Sequence, residues 1–221
     1  MSIRKPIGDC LSNVMNGRSR GGAFTLVEML VVVAIVMILA ALLFPAFATI
    51  RARADAAKCL SQLRQVGTAI SLYVSENNGT LPGPLWSTQP PLAARDNNNV
   101  TWLGGFLAPY LGVQLPNGPT TTFVTVPTMF CPVNLQRKVS RGTGMWTVNG
   151  SVDVNGLTRS PWGHPSGVGD LRTPARMSSI SNVASTWALQ ERDLGNPAAV
   201  VHRTVRNTLF FDWHVESVRV P

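Results

Sequence analysis

The longest apolar run of the chain lies near its N-terminus. From Met29 to Ile50, 22 consecutive residues carry no charged side chain. As a helix this run would be about 33 Å long, close to the thickness of bilayer hydrocarbon. The apolar region of a secretory signal peptide is shorter, roughly 7–15 residues. The run therefore predicts a membrane-spanning helix.

A second helical pattern follows the apolar run. Its apolar positions recur at spacings of three or four, with polar residues between them: Leu60, Leu63, Val66, Ile70 and Tyr73. Asn77-Asn78-Gly79 and then Pro82 predict its end. We therefore expect one helix from Phe24 to about Glu76, apolar in its first half and amphipathic in its second. Pro45 removes a backbone hydrogen bond, which predicts a bend or local melting there.

The rest of the chain favours short strands. The alternation from Trp146 to Val154 around Asn149-Gly150 predicts a hairpin, because Asn-Gly favours tight primed turns. The remaining strand candidates are Phe123–Val126, Thr186–Leu189, and a final hairpin of Leu209–Phe211 and His214–Val218 around Asp212-Trp213. A primed turn requires a positive φ, which is costly for Trp213, so another turn type is an alternative. Residues 80–120 are rich in Pro, Gly and Asn and are interpreted as loops.

These patterns predict an α+β fold, with a long N-terminal helix packed on a small, irregular antiparallel β-rich head. The expected organisation is a basic leader at residues 1–23, a membrane helix at 24–50, an amphipathic continuation at 51–78 and a head at 79–221. Charged residues make up only 14% of the chain, as expected if part of it lies in lipid. Beyond the leader, 15 basic and 10 acidic side chains remain. This small surplus gives no reason to expect a nucleic-acid partner.

Glu28 lies at the start of the apolar run. A carboxylate in a membrane segment costs on the order of a few kcal/mol near the bilayer centre and less near its edge. Such a residue either has a partner or is hydrated at the interface. Basic residues occur both before the run and after it, so the distribution of charge does not decide the orientation.

The string Phe24-Thr25-Leu26-Val27-Glu28, after a basic leader and before the apolar run, resembles the type IV prepilin signature. That family contains type IV pilins and the pseudopilins of type II secretion systems. The resemblance implies cleavage by a membrane peptidase before Phe24 and N-methylation of Phe24. It also implies that Glu28 pairs with the terminal amine of a neighbouring subunit. With Phe24 first, Glu28 is the fifth mature residue and Pro45 the twenty-second, as in the family.

The predicted cleavage site departs from the family pattern, because Ala23 stands where Gly is preferred. Cleavage after Gly22 is the alternative, although it would shift Glu28 and Pro45 by one position. The segment Ala46-Phe47-Ala48 also fits a conventional signal peptidase site, which would give a mature chain starting at Thr49. The length of the apolar run and the presence of Glu28 argue against cleavage by a conventional signal peptidase.

A narrower resemblance covers two further segments. Lys58–Gly67 is similar to the Cys-x-x-Asn-Leu-(Arg/Lys)-Gln-(Ile/Leu/Val)-Gly helix of a pseudopilin-like group in planctomycetes and Verrucomicrobia, with Gln62 in place of Asn. That group also carries a C-terminal His, nine residues and Asp-Gly. This chain has His202 and Asp212 at that spacing, with Trp213 in place of Gly.

Whether the cysteines form a disulfide depends on the compartment in which the chain folds. If the chain is exported, Cys59 and Cys131 are the candidates for an intrachain disulfide, and two buried free thiols are the alternative. Cys10 belongs to the leader.

We expect no enzymatic activity. His202, Asp212 and His214 could form a metal or acid–base cluster, but structural hydrogen bonds in the terminal hairpin are the simpler interpretation. Asp96–Asn99 offers oxygen ligands of the kind that calcium uses, although it lacks an EF-hand pattern. No other cofactor is expected.

The sequence predicts a pilin-like subunit in the bacterial inner membrane with its head in the periplasm. Its expected partners are other pilin-like subunits, the prepilin peptidase, an assembly platform and lipid. The alternatives are a membrane-tethered binding or adhesion module and a secreted soluble protein with a conventional signal peptide. A minor pilin for DNA uptake is suggested only by the small basic surplus.

Overall fold

The computed structural model describes residues 25–93, 102–115, 123–133, 145–192, 202 and 205–219. Its first element is helix α1, Leu26–Glu76, close to the predicted span. The helix is continuous through Pro45, so the expected local melting is not seen. It ends at Glu76, just before Asn78 and Gly79, whose positive φ values of 54° and 76° cannot continue a helix. The chain divides into two compact units, residues 1–48 and 49–221.

The second unit combines the C-terminal half of α1 with short strands, which confirms the α+β fold class. The strands are β1 Thr88–Gln89, β2 Leu92–Ala93, β3 Val124–Thr125, β4 Trp146–Val148, β5 Val152–Val154, β6 Leu157–Arg159, β7 Trp187–Glu191, β8 Val205–Phe210 and β9 Val215–Arg219. A five-stranded sheet has the order β1-β4-β7-β8-β9, and β2-β3 and β5-β6 form two separate ribbons. All of these pairings are antiparallel. Helix α2 is Leu103–Leu107, and 3-10 helices occupy Pro109–Leu111, Pro127–Met129, Gly169–Leu171 and Met177–Ser179.

The prediction that residues 80–120 form only loops is wrong. This region contributes β1, β2 and α2 to the head. The two strands have two residues each, too few for a period-2 pattern to show. They are strands because distant segments pair with them: Thr88 lies opposite Thr147, and Leu92 opposite Thr125.

The predicted hairpin around Asn149-Gly150 is also wrong. Strand β4 pairs with β1 and β7, whereas β5 pairs with β6. The segment between β4 and β5 therefore connects the five-stranded sheet to the β5-β6 ribbon. Within it, the Asn149 side chain is buried and donates a hydrogen bond to the Trp187 carbonyl. The primed turn is instead at Asn155-Gly156, where φ is 54° and 80°.

The C-terminal hairpin is formed by β8 and β9, as predicted, but its turn differs from a two-residue Asp212-Trp213 turn. The Phe210 N–H donates to the His214 carbonyl, and the Trp213 N–H donates to the Phe210 carbonyl. The loop therefore has three residues, with Trp213 at φ 70° in the left-handed position that Gly usually occupies. Trp213 is half-buried against the core.

The core of the head lies between α1 and the strands. The buried positions on the helix are Cys59, Leu63, Val66, Gly67, Ala69, Ile70 and Val74, whereas Leu60 and Tyr73 are half-buried. Gly67 brings the C-terminal hairpin close to this helix, because a Cβ atom there would lie 2.8 Å from Cδ1 of Leu209. Leu209 has no exposed surface. The two segments that carried the narrower resemblance thus pack against each other.

Candidate functional site

The start of α1 is a capping box. Both the backbone N–H and the hydroxyl of Thr25 donate to Oε2 of Glu28 at 2.8 Å, and the Glu28 N–H donates to the Thr25 hydroxyl at 3.2 Å. This is the Thr-x-x-Glu arrangement that satisfies free N–H groups at a helix N-terminus. Within one chain, Glu28 therefore already has hydrogen-bond donors. The sequence analysis missed this role, although Thr25-x-x-Glu28 is its recognisable signal.

In the apolar segment of α1 from Leu26 to Phe44, almost all side chains are exposed. Exposed fractions include 79% for Leu26, 62% for Ile38 and 71% for Leu42. Its most apolar 18-residue window has no part buried inside the protein. Each exposed apolar Å² costs about 25 cal/mol in water, and a patch of this size indicates a membrane or protein partner. Within the described part of the chain, α1 is the one helix long and apolar enough to cross a bilayer.

The predicted processing site and the predicted calcium segment lie in parts of the chain that the structure does not describe. Ala23 and Phe24 lie outside the described residues, as does the Asp96–Asn99 segment. Pro45 lies within the helical backbone of α1.

A disulfide joins Cys59 of α1 to Cys131, which follows the Pro127–Met129 3-10 helix. The two residues are 72 positions apart in sequence and have a Cα–Cα distance of 5.1 Å. Both are buried. The bond thus links α1 to the segment that directly follows the Pro127–Met129 3-10 helix. It is the intrachain disulfide expected if the chain is exported.

His202 lies beside this disulfide. Its Nε2 atom is 3.2 Å from Oε1 of Glu191 and 3.9 Å from Sγ of Cys131. The side chains of His202 and Glu191 are only 5% and 2% exposed. We call Cys59, Cys131, Glu191 and His202 the His202 cluster. Their potential ligand atoms all lie within 4.8 Å of one another.

Glu191 is a functional candidate that the sequence analysis missed. It is the last residue of β7, and the neighbouring strand β8 holds its carboxylate in place. The Asn207 N–H donates to Oε2 at 3.0 Å, and the Asn207 side-chain amide donates to Oε1 at 3.2 Å. These donors compensate for removing the carboxylate from water. A single acid at the end of an apolar strand gave no sequence signal for this pairing.

Asp212 has a different set of partners from His202. Its Oδ1 accepts a hydrogen bond from the His214 N–H at 3.2 Å and contacts the His214 ring. Burial alone would raise the Asp212 pKa, but the side-chain and backbone hydrogen bonds from His214 lower it overall. Asp212 thus supplies a turn hydrogen bond. The His202 side chain pairs with Glu191 of β7, and the His202 backbone forms an isolated bridge with Val205 of β8 in the terminal hairpin.

Comparison with known proteins identifies the N-terminal segment. Residues 18–44 match the prokaryotic N-terminal methylation motif. The match supports a type IV pilin-like or pseudopilin subunit. Together with the exposed apolar helix, it is consistent with an inner-membrane anchor. No curated protein and no solved structure shows a significant match to the chain. The narrower resemblance and its His202–Asp212 motif therefore stay predictions.

Proposed function

We propose that the protein is a structural pseudopilin of a type II secretion system or a subunit of a type IV pilus-like fibre. The observation that carries the proposal is the position of the methylation motif: its residues 18–44 extend through most of the apolar, outward-facing segment of α1. A motif that marks a processed N-terminus thus coincides with a surface that needs lipid or other helices. The proposal assigns the chain no enzymatic role.

In this account, prepilin peptidase removes residues 1–23 and Phe24 becomes the methylated N-terminus. The chain is inserted in the cytoplasmic membrane with its leader inside and its head in the periplasm. An assembly platform then moves subunits from lipid into a fibre. Burial of the apolar helices against one another stabilises the fibre, because van der Waals packing and close contact drive helix association in membranes.

Glu28 sets the register between neighbouring subunits. Before assembly, the Thr25 donors occupy its carboxylate. In a low-dielectric helix bundle an unpaired carboxylate is strongly disfavoured, whereas a neighbour's terminal ammonium group stabilises it. A carboxylate accepts more than one hydrogen bond, so the capping box and the intersubunit pair can coexist.

Photo-crosslinking in the native membrane tests whether subunits assemble. A photoreactive amino acid at Val33, whose side chain is 48% exposed, should crosslink the chain into ladders that contain pilin-like subunits. A chain that crosslinks only to lipid would instead be a membrane-tethered module and would contradict the proposal. The same probe at Leu157, an exposed position of the head, measures crosslinking outside the apolar segment.

A further inference from the structure

The His202 cluster contains more ligand chemistry than a disulfide needs. It brings together two sulfurs, an imidazole nitrogen and a carboxylate oxygen from separate parts of the chain. They belong to Cys59 of α1, Cys131 after the Pro127–Met129 3-10 helix, Glu191 of β7, and His202, whose backbone forms a bridge with β8. Cys59, Cys131 and Glu191 are buried, and the His202 side chain is 5% exposed. Four donors of these types match the ligands of tetrahedral zinc sites.

We infer that, in its dithiol form, the His202 cluster binds one zinc ion through Cys59, Cys131, Glu191 and His202. The disulfide and the metal site exclude each other, because each uses both sulfurs. In the disulfide state α1 is bonded to Cys131, whereas in the metal-bound state the ion would join α1, Cys131, β7 and His202. The inference does not depend on the proposed pilin-like function.

The distances fit this assignment. A tetrahedral site with Zn–S of about 2.3 Å and Zn–N or Zn–O of about 2.1 Å has S···N separations of about 3.6 Å and N···O separations of about 3.4 Å. The corresponding separations here are 3.9 Å for Cys131 Sγ to His202 Nε2, and 3.2 Å for His202 Nε2 to Glu191 Oε1. To bind the ion, the two sulfurs must separate from bonding distance to about 3.8 Å. The other pairs of ligand atoms lie within 4.8 Å of one another.

The surroundings also suit a metal ligand. Asn207 donates to both oxygens of Glu191, so the carboxylate has a fixed orientation. Such supporting hydrogen bonds typically change metal affinity by about 10–100-fold. Of the atoms of the His202 ring, Nε2 faces both Glu191 and Cys131, which is the nitrogen that would bind the ion.

The proton and electron balance is simple. Opening the disulfide with a phosphine reductant transfers two electrons to the sulfurs and oxidises the phosphine to its oxide, and one water molecule supplies the oxygen of the oxide and the two thiol protons. The two thiols then lose two protons as zinc binds, because thiolate is the ligand. The proton that Nε2 of His202 donates to Glu191 moves to Nδ1 or to solvent, because Nε2 must be unprotonated to bind the ion. A newly made chain that has not yet been oxidised needs no reductant, since its cysteines are already thiols.

Cobalt substitution tests the inference on the full-length chain in detergent. A Cys10→Ser background leaves Cys59 and Cys131 as the cysteines present. After phosphine reduction, one equivalent of Co²⁺ should give a thiolate charge-transfer band and the intense visible bands of tetrahedral cobalt, and zinc should abolish both. The oxidised protein should give neither band.

Two matched variants identify the ligands. His202→Ala should weaken cobalt and zinc binding at least tenfold, whereas His214→Ala, which removes the exposed ring beside Asp212, should leave both unchanged. Asn207→Ala should weaken binding about 10–100-fold. If the reduced protein gives no thiolate–cobalt band, or if His202→Ala binds cobalt as well as the parent, the cluster is a disulfide beside a hydrogen-bonded His–Glu pair and the inference is wrong. The first of these outcomes requires no cluster variant to fold.

Discussion

The carboxylate of Glu28 accepts two hydrogen bonds from Thr25, three residues earlier in the same chain. The acid therefore has a local function at the helix N-terminus that is separate from any pairing between subunits. The two functions differ in their need for charge. A glutamine serves in a capping box, because its carbonyl oxygen accepts the same hydrogen bonds, whereas pairing with an ammonium group depends on the negative charge.

This difference predicts opposite results for two substitutions at the capping box. Glu28→Gln retains the cap but should reduce subunit polymers at least tenfold, because it removes the charge that the neighbouring amine requires. Thr25→Val removes the hydroxyl of the cap and retains the charge, so polymers should persist. Polymer abundance is measured by crosslinking and immunoblotting at equal amounts of membrane-bound chain. Normal assembly of the Glu28→Gln variant would refute the pairing.

Alanine substitutions at Gly156 and Gly150 test which of the two Asn-Gly sequences forms the tight hairpin turn. Gly156 has a φ of 80° with open space around its Cα, so Gly156→Ala should destabilise the head by about 1–2 kcal/mol through backbone strain alone. Gly150 also has open space but no positive φ, so Gly150→Ala should change stability by less than about 0.5 kcal/mol. Urea denaturation measures both. A larger loss for Gly150→Ala would support the hairpin predicted from the sequence.

Both tyrosines of the chain should ionise at a higher pH than a free tyrosine does. A hydrogen bond to Glu76 raises the pKa of Tyr110 to about 12, and burial raises the pKa of Tyr73. Folding favours the protonated phenols, so this stabilisation is complete below about pH 10 and is lost as the pH rises towards the folded pKa values. Absorbance titration should show little tyrosinate at pH values near 10 in the folded protein. Glu76→Gln should lower the pKa of Tyr110 and leave that of Tyr73 nearly unchanged, whereas an ordinary pKa for both in the parent would contradict the described contacts.

The disulfide should contribute a large part of the head's stability. It closes a loop across 72 positions, for which the chain-entropy relation gives about 4 kcal/mol. The double variant Cys59→Ala/Cys131→Ala in metal-free buffer should lose about that much free energy of unfolding in urea. Cys10→Ala is the control and should have no effect. A loss below about 1 kcal/mol would show that the bond adds little to the native fold.

The long N-terminal helix could be predicted from the sequence, whereas the pairing of the short strands could not. The helix ending at Glu76 extends over many turns, so its apolar spacing and the following Asn-Asn-Gly gave a consistent signal. In contrast, β1 has two residues and is a strand only because β4 pairs with it. The Asn149-Gly150 turn was mispredicted because burial of the Asn149 amide against Trp187 outweighed the local turn preference.

The same distinction applies to the site. Glu28 stood out because a charge in an apolar run is costly and therefore visible in the sequence. Glu191 did not stand out, because its role depends on hydrogen bonds with His202 and Asn207. The pairing of β7 with β8 places Asn207 next to it in the folded head. Trp213 was correctly recognised as unfavourable at a positive φ, but its packing against the core could be seen only in the folded head.

The most direct test of the central claim is the mass of the mature N-terminus. The chain is purified from the membranes of its own cells, digested, and its N-terminal peptide analysed by tandem mass spectrometry. The account predicts a peptide that begins at Phe24 and carries one methyl group on its amine. A peptide that begins at Thr49, or an intact leader in the membrane-embedded protein, would contradict it.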